Sequence, residues 1–83
     1  MNMQQGRRAE TLVRVCNETE IAVRFWNIGG RTKFLPLLER FRSEFLLAHP
    51  AKISGLDWLI ITKEQIPELQ AFCRRNGLHI VEL

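Results

Sequence analysis

The sequence predicts an α+β fold in two layers, a four-stranded mixed sheet with two helices in the order β-β-α-β-α-β, on three observations. β-branched residues recur at alternate positions within 11–27, at Thr11, Val13 and Val15 and again at Ile21 and Val23, which is the period of a strand. Apolar residues then fall at helical spacing over 32–48 and over 63–76. A short apolar run, LDWLIIT at 56–62, separates those two stretches, and LHIVEL follows the second.

Taken in order, 11–27 reads as two strands joined by a polar loop at Asn17-Glu18-Thr19. That loop pairs Val15 with Ile21, Val13 with Val23 and Thr11 with Phe25, giving one apolar face. Leu12, Arg14, Ala22, Arg24 and Trp26 fall on the opposite face. Ala9, Leu12, Val13 and Cys16 also fit helical spacing, so a helix over 9–20 is the rival; the density of β-branched side chains disfavours it.

Over 32–48, Phe34, Leu38, Phe41, Phe45 and Ala48 form one helical stripe, with Pro36 expected in the first turn and Thr32 as a candidate N-cap. Pro50 biases His49 away from helical geometry, which ends the helix near Ala48 and makes His49 a terminating residue. In 56–62, Trp58 and Ile60 point one way and Leu59 and Ile61 the other, as in a strand covered on both sides. Thr62 and Gln65 have capping-box spacing ahead of Pro67, so the second helix becomes regular near that proline. Ile66, Leu69, Phe72 and Cys73 make its inner face, and Gly77 closes it with Leu78 turned back on Cys73. The last strand carries His79 on its exposed side, and strand–helix–strand from Leu56 onward has the pattern of a right-handed parallel crossover, with an antiparallel arrangement as the alternative because the linking helix is short. Phe41, Phe45, Leu69, Phe72, Trp58 and Ile60 are expected to be buried together.

A chain of 83 residues has room for one core, expected over 9–83 behind a disordered polar tail at 1–8. The tail, MNMQQGRR, has no apolar segment after its charges and does not read as a secretory leader. No apolar run approaches the ~20 residues of a membrane span, so no membrane partner is expected. Cys16 and Cys73 are far apart with no C-x-x-C between them, which suits free thiols in a reducing, cytoplasmic setting and leaves no metal site. The net charge of +3 is mild and permits an acidic partner without requiring one.

No catalytic constellation is apparent. Neither serine sits in a nucleophile elbow, Glu64 and Glu68 suit a helix start, and Asp57 reads as a strand-entry residue. No cofactor motif occurs: Gly29-Gly30 leads through Arg31 and Thr32 to Lys33 at a helix start, which could hold an anion, yet it lacks the spacing of a phosphate or dinucleotide loop. Arg14, Arg24 and Trp26 put charge beside an aromatic ring on one hairpin face, where nucleic acid could bind, with Arg7, Arg8 and Arg31 extending the patch. Leu35, Leu46 and Leu47 fall off the main stripe of the first helix and mark a possible protein interface. The expected function is therefore a small non-enzymatic binding or regulatory protein acting through protein–protein contact, self-associating as a homodimer. The alternative is a nucleic-acid-binding protein using the basic and aromatic hairpin face.

Overall fold

A computed structural model describes residues 8–83 of the chain, so all of the polar tail expected over 1–8 except Arg8 lies outside the described residues. The elements are β1 (Glu10–Val15), β2 (Glu20–Trp26), α1 (Arg31–Glu44), β3 (His49–Ile53), β4 (Leu56–Thr62), α2 (Ile66–Arg75) and β5 (His79–Glu82). The fold is α+β with a mixed sheet and two helices, as the sequence predicts, but the sheet has five strands rather than four, in the order β3-β4-β2-β1-β5.

The first hairpin forms in the expected register, with Thr11 opposite Phe25, Val13 opposite Val23 and Val15 opposite Ile21. Its loop is held by the Asn17 side chain, whose Oδ1 accepts from the Thr19 and Glu20 backbone N–H groups, each at 2.9 Å. β2 continues into an antiparallel ladder with β4, and β1 pairs on its other side with β5 in parallel. β4 and β5 thus run in the same direction, but β2 and β1 lie between them.

The unforeseen strand is β3, HPAKI, where His49 was expected to terminate a helix. α1 stops at Glu44: Phe45 leaves helical geometry at φ −111° and ψ 74° while its ring stays stacked on Phe41, centroids 4.4 Å apart. Leu46 and Leu47 form the turn that follows, and the chain re-enters the sheet at His49. Pro50 is tolerated because β3 is an edge strand. Ser54 and Gly55 join β3 to β4 with φ values of 52° and 82°, the two positive values of a type I′ hairpin turn. At the other end of α1, Gly30 rather than Thr32 occupies the cap, with no side-chain hydrogen bond. Pro36 therefore lies past the first turn and leaves the Thr32 carbonyl without its helical donor.

α2 begins as expected. The Thr62 backbone N–H donates to Gln65 Oε1 at 3.2 Å across a single 3-10 turn at Lys63–Gln65, and the regular helix follows at Ile66. It ends at Gly77, φ 68°, where the Leu78 N–H returns to the Cys73 carbonyl at 2.9 Å.

Both helices cover the same side of the sheet. Phe41, Phe45, Leu69 and Phe72 meet Ile21, Val23, Phe25, Leu59 and Ile61 there in one cluster. Its centre is aromatic: Phe41 stacks on Phe45 and meets Phe25 and Phe72 edge-on, with centroids 5.2 and 5.5 Å apart. The Cys73 thiol donates to the buried Thr11 hydroxyl at 3.3 Å. Trp58 and Ile60 are buried too, but with Ala22 on the other side of the sheet, so the six residues expected in one core divide between two clusters.

Candidate functional site

With both helices on one side, no helix among the described residues packs against the other side of the sheet. Strand alternation puts Leu12 and Arg14 of β1, Ala22, Arg24 and Trp26 of β2, and Trp58 and Ile60 of β4 on this face. Ala51 and Ile53 of β3 pack against the Ala22, Trp58 and Ile60 cluster, as does Leu12. Its centre is thus apolar. Arginine and tryptophan stand around it in pairs: the Arg14 guanidinium lies 5.8 Å from the Trp58 ring and that of Arg24 lies 5.9 Å from the Trp26 ring. Trp58 is only 4% exposed beneath this cover, whereas Trp26 is 53% exposed.

The face carries acid as well as base. Glu10 is opposite Trp26 and His79, and Glu20 is opposite Thr62, so both carboxylates belong to the side that bears Arg14 and Arg24. The Glu20 carboxylate accepts a hydrogen bond from the Asn17 amide at 3.1 Å. At the margins, Leu47 adjoins His49 and Ile60 at one end, and Leu56 is exposed at the end where β4 begins.

The residues singled out from sequence are divided by this geometry. Arg14, Arg24 and Trp26 share the helix-free face, and Trp58 joins them, which alternation within LDWLIIT indicates but charge does not. Arg31 and Lys33 are in the first turn of α1, on the opposite side of the sheet, where Lys33 lines a shallow recess with Thr32 and Arg40. Arg8 turns to His79, its guanidinium 3.1 Å from Nδ1, and Arg7 lies outside the described residues. Leu35, Leu46 and Leu47 do not form one patch: Leu35 is in the second turn of α1 and the other two follow its far end, ~16 Å along the axis at 1.5 Å per residue. All three are exposed, Leu46 and Leu47 most of all.

Among the described residues, one buried side-chain group has no partner. The Trp58 indole N–H is shielded from solvent and has no acceptor within hydrogen-bonding distance. Such a group costs about 1–3 kcal/mol relative to a bonded one. It sits where the β2–β4 ladder stops: the last pair is Val23 with Leu59, although β2 runs on to Trp26 and β4 starts back at Leu56. The strands part there, and a cavity of about 330 Å³ opens beside Trp58.

Chemically active groups are sparse. Cys73 is buried and its thiol is pushed above the ordinary value by that burial, the opposite of what an activated nucleophile needs. Among the described residues no group of three or more His, Cys, Asp or Glu side chains is placed to hold a metal ion, and no helix is long and apolar enough to cross a membrane. No protein-family model matches the chain, and no curated protein or solved structure matches it either.

Proposed function

We propose that this chain is a non-enzymatic binding protein that acts through protein–protein contact, with the helix-free face of its sheet meeting the same face of a second copy. The observation that carries the reading is an apolar centre ringed by tryptophan and arginine on the one side of the sheet left without helices. Tryptophan and arginine are the side chains that most often dominate binding energy at protein interfaces, around a centre from which water is excluded. The charge pattern favours self-contact. Arg14 and Arg24 share the face with Glu10 and Glu20, and a two-fold axis can set the bases of one copy against the acids of the other.

Nucleic acid is the second reading, supported by the Arg24–Trp26 pair, whose ring is half exposed and free to stack. Against it, the two carboxylates break up the positive field that phosphates need, and Trp58 is covered. Cys16 and Cys73 are both free thiols, which supports placing the protein in a reducing, cytoplasmic compartment.

Sedimentation at about 100 µM, well above a micromolar Kd, tests the assembly. The wild type is expected to be a dimer, and Trp26→Glu, in the ring of the face, a folded monomer. The pair Leu46→Glu and Leu47→Glu is expected to weaken the dimer less, since only Leu47 adjoins the face. A wild type that stays monomeric throughout overturns self-association. A monomer that also shifts a single-stranded oligonucleotide, with affinity falling steeply as salt rises, establishes the second reading instead.

A further inference from the structure

The parting of β2 and β4 leaves a cavity at the seam between the two strands, lined from the α1 side and also by Arg24 and Trp58, which alternation places on the helix-free face. Phe25 and Leu59 from the strands and Phe34 and Leu38 from α1 form its apolar walls. Arg24 from β2, Arg42 from α1 and Trp58 from β4 also line it. Among the described residues neither arginine has a carboxylate within 4.0 Å; the ion pairs formed are Asp57 with Lys52 at 3.0 Å and Glu44 with Arg75. Asp57 also lines the cavity, but its Oδ1 accepts from Lys52. Trp58 adds a buried indole N–H with no acceptor.

We propose that this cavity binds a small amphipathic anion, a carboxylate or phosphate held by Arg24 and Arg42, with its apolar body between Phe34, Leu38 and Leu59. The volume, about 330 Å³, is at the small end of ligand sites and excludes a peptide or nucleotide chain. Two guanidinium groups without a carboxylate partner among the described residues select for negative charge, and guanidinium geometry matches both carboxylate and phosphate oxygens. The apolar walls select against a bare inorganic ion. An acceptor on the ligand completes the hydrogen bonding of Trp58, whose buried indole N–H has no partner among the described residues.

The test is a titration of the full chain followed by ¹H–¹⁵N NMR, using 4-phenylbutyrate, phenyl phosphate and the uncharged 4-phenylbutyramide. A probe this small is expected to bind with a Kd on the order of 1 mM. Either anion should move the Trp58 indole N–H resonance saturably, with the amide at least about tenfold weaker. Which anion binds tighter identifies the headgroup. Arg42→Gln should bring the anion down to the affinity of the amide, and Leu38→Trp, which fills the cavity, should abolish binding of all the probes. Arg42 is exposed and Leu38 lies on the helix side, so both variants leave the proposed dimer face intact. The proposal fails if neither anion moves the Trp58 indole signal, if the amide binds equally well, or if the shifts map away from Phe34, Leu38 and Arg42.

Discussion

The two cysteines differ in burial, and that difference sets their chemistry. Cys16 is exposed at the first hairpin, whereas Cys73 is 1% exposed, with its thiol donating to Thr11. A thiol reagent at pH 8 is expected to label one site in the native protein and both in denaturant; rapid native labelling of Cys73 would show that α2 opens readily. Burial pushes the Cys73 thiol above its ordinary value of 9.0, and the Thr11 hydrogen bond opposes this by less. The folded thiol therefore keeps its proton where the unfolded one loses it. This contribution to stability is intact below about pH 9 and declines as pH rises from there toward the raised folded value. Cys73→Ala should start less stable but decline less over that interval, as thermal melts would show. Phe72 has the larger effect: it is fully buried among Phe41, Phe45 and Phe25, and Phe72→Ala should cost ~3–5 kcal/mol. At ~0.05–0.15 kcal/mol per residue, that is much of the stability of a chain this size, so urea unfolding should begin near zero denaturant. Phe72 and Cys73 were legible because helical spacing fixes the inner face of α2. The missing partner of Trp58 was not legible, because the hydrogen-bond state of an indole depends on which strand lies beside it.

Each element obeyed its local chemistry where that chemistry was distinctive. The Asn17 loop, the Thr62–Gln65 cap and the Gly77 terminus all formed as their residues indicate, since each rests on contacts within a few positions. β3 was hidden because HPAKI offers little alternation and contains a proline, and such a strand exists only because β4 supplies its partner. The Ser54-Gly55 pair was the available signal: two residues between apolar stretches are a hairpin turn when both accept positive φ. Asparagine suits the first of these positions better than serine. Ser54→Asn is expected to stabilise the protein by about 0.5 kcal/mol, and Gly77→Ala to destabilise it by about 1 kcal/mol. An added methyl at Gly77 meets nothing within 4 Å, so that cost comes from the backbone alone. Urea midpoints for both variants check the pair, and an unchanged Gly77→Ala would mean the left-handed terminus is dispensable.

At the scale of the molecule, the decisive fact is that α1 and α2 lie on one side of the sheet. They are tied to each other by the Arg75–Glu44 ion pair and by Arg40 Nε donating to Asn76 Oδ1 at 3.0 Å. Apolar residues on both faces of β4 suggested cover on both sides, but no residue pattern specifies which side a helix takes. The sheet order was equally hidden, because the placement of β5 beside β1 links residues about 70 apart in sequence. If the helix-free face is an interface, apparent stability should rise with protein concentration, since a dimer unfolds with release of two chains. A melting temperature that does not change over a hundredfold dilution would point to a monomeric folded state.

The parallel pairing of β1 with β5 also governs how the fold would bear load. Tension applied through the two ends of the described chain enters β1 at Glu10 and leaves β5 at Glu82, which lie at opposite ends of their shared ladder. Their four residue pairs, Glu10–His79 to Val13–Glu82, are then pulled in shear and must yield together. Pulling instead between Cys16 and Glu82, at the same end of the ladder, would peel those pairs apart one at a time. The same bonds thus make a strong clamp in one direction and a zipper in the other.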